Sequence, residues 1–138
     1  MKKILRLFVL IIILVLAACG QRDYVSDGGV LGPEQVLEYY CKACSQGKRE
    51  KIHSVLSNEM KAKTADYGAI KTMDLISFER ITETEVSSTI EGLCELYIYK
   101  VEIDYEFKGE FGKDRFIRYY HIGKEMENSP WLIYDITD

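Results

Sequence analysis

From Tyr97 to Phe107 every odd position is apolar: Tyr97, Tyr99, Val101, Ile103, Tyr105 and Phe107. After Ile98, the even positions between them are Lys100, Glu102, Asp104 and Glu106. A period of two is the mark of a strand with one buried face, and the pattern predicts that strand over residues 93–107. Lys108-Gly109-Glu110-Phe111-Gly112 then reads as a turn. Residues 114–122 return, with Phe116, Arg118, Tyr120 and Ile122 on one face and Ile117, Tyr119 and His121 on the other. Asn128-Ser129-Pro130 breaks the chain, and residues 131–137 make a final strand. Upstream, sheet character begins at Met73, and a first strand over residues 75–86 holds Ile76, Phe78 and Ile81. Strands joined in sequence by short turns form an antiparallel meander.

Before Met73 the apolar spacing is helical. Pro33-Glu34 suits a first turn, where proline loses no bond and an acid meets the positive dipole end. Val36, Leu37, Tyr40, Cys41 and Cys44 then share a face, and Gly47 is the expected cap. A second helix is expected over residues 48–57, with Ile52, Val55 and Leu56 turned inward. Met60, Tyr67 and Ile70 are loosely patterned and Gly68 interrupts them, which predicts a short helical turn and a loop. The predicted class is α+β: two N-terminal helices and a short third packed on a curved four-strand antiparallel sheet.

The first twenty residues follow a different logic. Lys2, Lys3 and Arg6 precede an unbroken apolar run, Leu7 to Leu16, and small residues Ala17 and Ala18 close it before Cys19-Gly20. This is the layout of a secretory signal peptide. A membrane-spanning helix needs about 20 apolar residues, more than this run supplies. Leu16-Ala17-Ala18-Cys19 resembles the lipobox of bacterial lipoproteins. The resemblance implies a diacylglyceryl group on the Cys19 sulfur and cleavage after Ala18. The chain then divides into a signal peptide at 1–18, a lipidated glycine-bearing tether at 19–32 and one domain at 33–138. The tether's relaxed span is on the order of 20 Å. The expected location is extracytoplasmic, at the cell membrane. Without residues 1–18 the chain carries 15 basic and 22 acidic residues, a net charge of −7. No basic patch stands out along the sequence, so nucleic acid is not an expected partner. Anionic headgroups repel an acidic domain weakly, and the lipid has to do the anchoring.

The order of elements resembles the nuclear transport factor 2-like, or cystatin-like cone, superfamily. Pro33-Glu34-Gln35-Val36-Leu37-Glu38-Tyr39-Tyr40, followed by Gly47-Lys48, looks like the first helix of small uncharacterised lipoproteins of Gram-positive bacteria with such a domain. Pro130-Trp131-Leu132-Ile133-Tyr134-Asp135-Ile136 looks like their last strand. The resemblance implies a cone-shaped cavity over residues 33–138. It implies no activity, since that superfamily holds enzymes, binders and structural modules alike. Its enzymes' Tyr/Asp and His/Asp pairs have no matching motif here.

Candidate chemistry is sparse. Cys41-Lys42-Ala43-Cys44 has redox spacing, but it lies late in a helix, where the dipole works against a thiolate. Zinc would need further ligands from Cys94, His53 or His121. An exported domain permits a disulfide, and Cys44–Cys94 is the expected pair, with Cys41–Cys94 as the lesser choice. His53 and His121 have no carboxylate fixed beside them by sequence, which favours structural roles over general-base work. Tyr97, Tyr99, Tyr105, Tyr119, His121 and Trp131 are the candidate lining of a ligand cavity, set against a plain role as sheet core. No catalytic constellation, metal site or cofactor is expected. The favoured reading is a non-catalytic binding module whose sheet face meets another envelope protein or a second copy. The alternative is a small-molecule-binding or enzymatic cone.

Overall fold

The structure is a computed structural model, described over residues 30–63, 68–82 and 90–138. The expected signal peptide, Cys19, most of the expected tether, Tyr67 and residues 83–86 of the expected first strand lie outside the described residues. Three helices precede four strands: α1 Pro33–Ser45, α2 Arg49–Ser54, α3 Asn58–Lys63, β1 Ile70–Ile81, β2 Glu95–Phe107, β3 Asp114–Lys124 and β4 Leu132–Thr137. The strands pair antiparallel in chain order as one open sheet. The class is therefore α+β, as the periodicities predict.

α1 forms where its local signals agree. Pro33 opens it, the Gly32 N–H donates to Gln35 Oε1 at 2.9 Å, and Glu34 sits in the first turn. Val36, Leu37, Tyr40, Cys41 and Cys44 are all buried, joined by Ala43. The helix ends on Gly47, whose φ of 63° suits a residue without a Cβ. The Gly47 N–H donates to the Cys44 carbonyl at 3.0 Å and the Lys48 N–H to Ala43 at 3.2 Å. This pair of bonds satisfies two otherwise orphaned carbonyls. Just before that turn, Ser45 Oγ donates to the Met73 carbonyl at 2.9 Å and accepts the Met73 N–H at 2.8 Å. One hydroxyl thus fastens the end of α1 to the edge of β1.

α2 is shorter than the expected 48–57. The chain leaves the helix after Ser54 because residues 55–57 serve the other edge of the sheet. Ile133 donates its N–H to the Val55 carbonyl at 2.8 Å, and the Ser57 N–H donates to the Ile133 carbonyl at 2.9 Å. Leu56 is thereby bridged parallel to Ile133. Ile52, Val55 and Leu56 are still buried, as expected. Ser57 then caps α3, its Oγ accepting the Met60 N–H at 3.2 Å.

Strand boundaries also move. β1 starts at Ile70, opposite Phe107, rather than at Leu75, and β2 starts at Glu95 rather than Leu93. β3 runs on to Lys124 rather than ending at Ile122, and β4 starts at Leu132 rather than Trp131. Ile76 belongs to no core face: a register shift between Leu75 and Ser77 leaves it 46% exposed. The helices cover one face of the sheet, where Met73, Tyr99, Val101, Ile103, Tyr120, Ile122 and Ile133 join the helical residues in one core. No helix among the described residues is long and apolar enough to cross a membrane.

Candidate functional site

Strand register decides which of the candidate residues meet. Tyr99 lies opposite Tyr120, and Tyr97 lies opposite Ile122. Tyr97, Tyr99 and Tyr105 therefore face the helices. Lys100 lies opposite Tyr119 and Ile98 opposite His121, so Tyr119 and His121 belong to the far face. The six candidate cavity residues are split between two sides of the sheet. Those facing inward are packed ring on ring. Tyr99 meets Phe78 edge-on at 5.9 Å, and Tyr105 stacks on Phe107 at 5.8 Å and meets Phe116 edge-on at 5.4 Å. The plain reading as sheet core describes them.

Tyr97 and Trp131 form a separate pair with centroids 5.0 Å apart. The Arg80 guanidinium lies 3.4 Å from the Tyr97 ring centre, and Lys124 Nζ lies 5.0 Å from that of Trp131. Glu95 ties the stack, accepting from Lys124 at 2.8 Å and from the Tyr97 hydroxyl at 3.0 Å. Those two donors hold its carboxyl below the usual range. Arg80, Glu95 and Lys124 carry no signal in the sequence. Only the register brings them together, since they sit on three strands and have no shared spacing.

The thiols have different fates from those expected. Cys41 and Cys44 are buried, Cys94 is exposed, and all three are free. The expected Cys44–Cys94 disulfide does not form: Cys44 is sealed in the core, while Cys94 sits at the surface entrance to β2. Cys41–Cys94 fails for the same reason. Burial pushes the Cys44 thiol up to about 12 and raises Cys41 further, with the neighbouring Cys44 adding to the effect. Thiolates carry both redox and metal chemistry; burial disfavours that form here, and both side chains pack in the core. No group of three His, Cys, Asp or Glu residues is placed to hold a metal among the described residues.

His53 is half-buried on α2. His121 is 2% exposed, and neither ring nitrogen has a hydrogen-bond partner among the described residues. Asp135 is its cross-strand neighbour on β4, where the register slips by a residue. That carboxylate also faces Lys63 at 4.0 Å. Burial lowers the His121 pKa, and Asp135 offsets this in part. The folded state disfavours the charged ring, so the unfolded chain takes up the proton first. Stability is complete above the ordinary histidine value of 6.5 and falls as pH drops below it. We expect denaturant midpoints to decline between pH 7.5 and 5, and His121→Leu to flatten that decline. An unchanged slope in the variant would assign the loss to other groups.

The rest of the far face is a ladder of ion pairs. Arg115 donates to both oxygens of Asp104, at 2.7 and 3.1 Å, and reaches Glu102 at 3.1 Å. Lys71 pairs with Glu106, Lys113 with Asp74 and Lys100 with Glu79. The Arg115 hydrogen bond lowers the Asp104 carboxyl. In solvent such pairs contribute little stability. They leave a charged face with the exposed Ile117 beside a shallow hollow of about 300 Å³, bordered by Ser77, Glu79, Lys100 and Glu102. A second hollow of about 430 Å³ lies at the foot of the β3–β4 hairpin, between Ser57, Asn58, Glu125, Pro130 and Tyr134.

No protein family, curated protein or solved structure matches this chain.

Proposed function

We propose that this protein is an extracytoplasmic lipoprotein, held to the membrane through Cys19, whose folded part is a binding module rather than an enzyme. The observation that carries the reading is Leu16-Ala17-Ala18-Cys19 at the end of a basic-then-apolar leader. Two acyl chains on one residue give stable anchoring, where a single chain does not. The order of helices followed by an antiparallel meander supports the resemblance to the cystatin-like cone superfamily. The binding half of the reading is supported by the far sheet face. Its Arg115 and Lys113 are solvent-facing charges, paired with half-buried Glu102 and Asp104 and with Asp74, that can exchange partners, and Ile117 offers apolar contact. The partner is a second envelope protein or a second copy of this chain.

Labelled palmitate is expected to enter the wild-type protein, which fractionates with membranes at the mass of a lipidated chain starting at Cys19. Cys19→Ala should take up no label. A wild-type chain that carries no lipid defeats the anchoring half. A photo-crosslinker at Ile117 should give one discrete adduct in cells, and its absence there and at Lys100 defeats the binding half.

A further inference from the structure

Charge is unevenly shared between the layers. Residues 42–63 hold six basic and two acidic residues, a net +4, whereas residues 64–138 hold eight basic and sixteen acidic, a net −8. The sequence as a whole conceals this excess because the acidic strands outweigh it. Four of these six basic residues gather around one feature, the turn between α1 and α2, while Lys61 and Lys63 lie on α3. Lys42 is exposed in the last turn of α1, and Lys48, Arg49 and Lys51 are exposed just beyond Gly47. Among the described residues, the ion pairs engage none of Lys48, Arg49 and Lys51. Glu50 stands between them, while the other acid of this stretch, Glu59, is taken by Lys63 at 3.0 Å. The carboxylates of the far sheet face lie behind the core, roughly one 10 Å layer away. The screening length in physiological salt is about 8 Å, so they weaken the turn's field little.

We propose that the α1–α2 turn docks on an anionic lipid surface, with Lys48, Arg49 and Lys51 meeting the headgroups. Two arguments select lipid as the occupant. One is charge complementarity. The other is reach, and it rests on the lipid-anchor reading. Ten residues lie between Cys19 and Val30, a contour of up to about 40 Å. α1 has 13 residues, a length of about 20 Å. The leash joins the domain at the start of α1, so its contour exceeds the distance to the basic turn. The domain can reach the membrane with the basic turn down and α1 tilted, so that its exposed Glu34 and Glu38 stand off the headgroups. The ion-pair face of the sheet then points away from the lipid, toward a partner.

The test uses the chain from residue 19 onward with Cys19→Ser, so that no lipid contributes. Its sedimentation is compared on phosphatidylcholine vesicles and on vesicles with about a quarter phosphatidylglycerol. Each cation near a charged surface strengthens binding on the order of fivefold at low salt. Binding to the anionic vesicles only is expected, fading as salt rises toward ~0.5 M. The triple variant Lys48→Glu, Arg49→Glu, Lys51→Glu should bind at least about tenfold more weakly. A control variant on the sheet side (Lys100→Glu, Lys108→Glu, Lys113→Glu) makes the same charge change and should bind as the parent does. Circular dichroism checks that both variants fold. Equal binding to neutral vesicles, no binding to anionic ones, or an equal loss in the control variant overturns the inference. Lipidation is read separately, from the mass of the Cys19 protein, so either idea can fail without the other.

Discussion

Tyr120→Ala is expected to cost about 3–5 kcal/mol of folding stability, whereas Tyr120→Phe is expected to cost nothing and to gain up to about 1 kcal/mol. The difference separates the ring from its hydroxyl. Tyr120 has no exposed surface and meets Tyr40 edge-on at 5.9 Å between α1 and the sheet. Removing the ring leaves a cavity beneath the helix that its neighbours can only partly fill. The hydroxyl is another matter. It is buried without a hydrogen bond of normal geometry among the described residues. Burial, with the phenols of Tyr105 and Tyr40 and the Cys41 thiol beside it, pushes its pKa well up. A polar atom that gave up water without gaining a partner is a net cost. Urea unfolding of the three proteins at neutral pH checks the expectation. A Tyr120→Phe variant less stable by more than about 1 kcal/mol would mean that the hydroxyl is paired after all, with Tyr105 as the neighbour in reach.

The second large effect concerns Gly123 in β3. A Cβ added there would lie 2.7 Å from Leu93 Cδ1 and 2.8 Å from the Glu95 carbonyl oxygen. The leucine tip can turn aside, but the carbonyl cannot. Glu95 is paired with Lys124, and the Cys94 N–H donates to the Lys124 carbonyl at 2.8 Å. The backbone at this corner is thus held from both sides. Gly123→Ala is expected to cost about 1–3 kcal/mol by overpacking. That is net of the fraction of a kcal/mol that alanine recovers by restricting the unfolded chain. Gly123→Val should cost more still, despite the preference of valine for strands. The midpoint of unfolding should shift while the denaturant slope stays constant. A neutral Gly123→Ala would show that the β2 entrance yields.

Local periodicity was a good guide wherever a single element decided the outcome. The α1 face of Val36, Leu37, Tyr40, Cys41 and Cys44 and the alternating face of β2 are both visible in sequence, because each is a property of one helix or one strand. What sequence could not reveal depended on register between strands. Tyr119 and His121 looked like companions of Tyr97 and Tyr99 until pairing placed them on the other side. Ile76 shares the alternation of Phe78 in sequence, yet the slip after Leu75 leaves it exposed. Arg80, Glu95 and Lys124 share no motif, and three strands must align before they form one stack. Residues 55–57 read as helix because Val55 and Leu56 continue the apolar spacing from Ile52. Their backbone instead bonds to Ile133, more than seventy residues away. The disulfide expectation failed for a related reason: cysteine count and export allow a bond, but only the fold shows that Cys44 points into the core while Cys94 faces water.

The fastening of Met73 by Ser45 and of Ile133 by residues 55–57 has a consequence for crowding. An open sheet exposes two rows of unpaired backbone groups, and such rows invite neighbouring chains to add on. Lipid anchoring would hold many copies in one plane with their sheets similarly turned. Lateral encounters there are far more frequent than in free solution. Both outermost strands of this protein have part of their backbone already engaged by the helical segment of the same chain. That occupation lets copies collide side by side without zipping into a continuous ribbon. Ser45→Ala should therefore matter more for a dense film of the anchored protein than for a dilute solution of the domain.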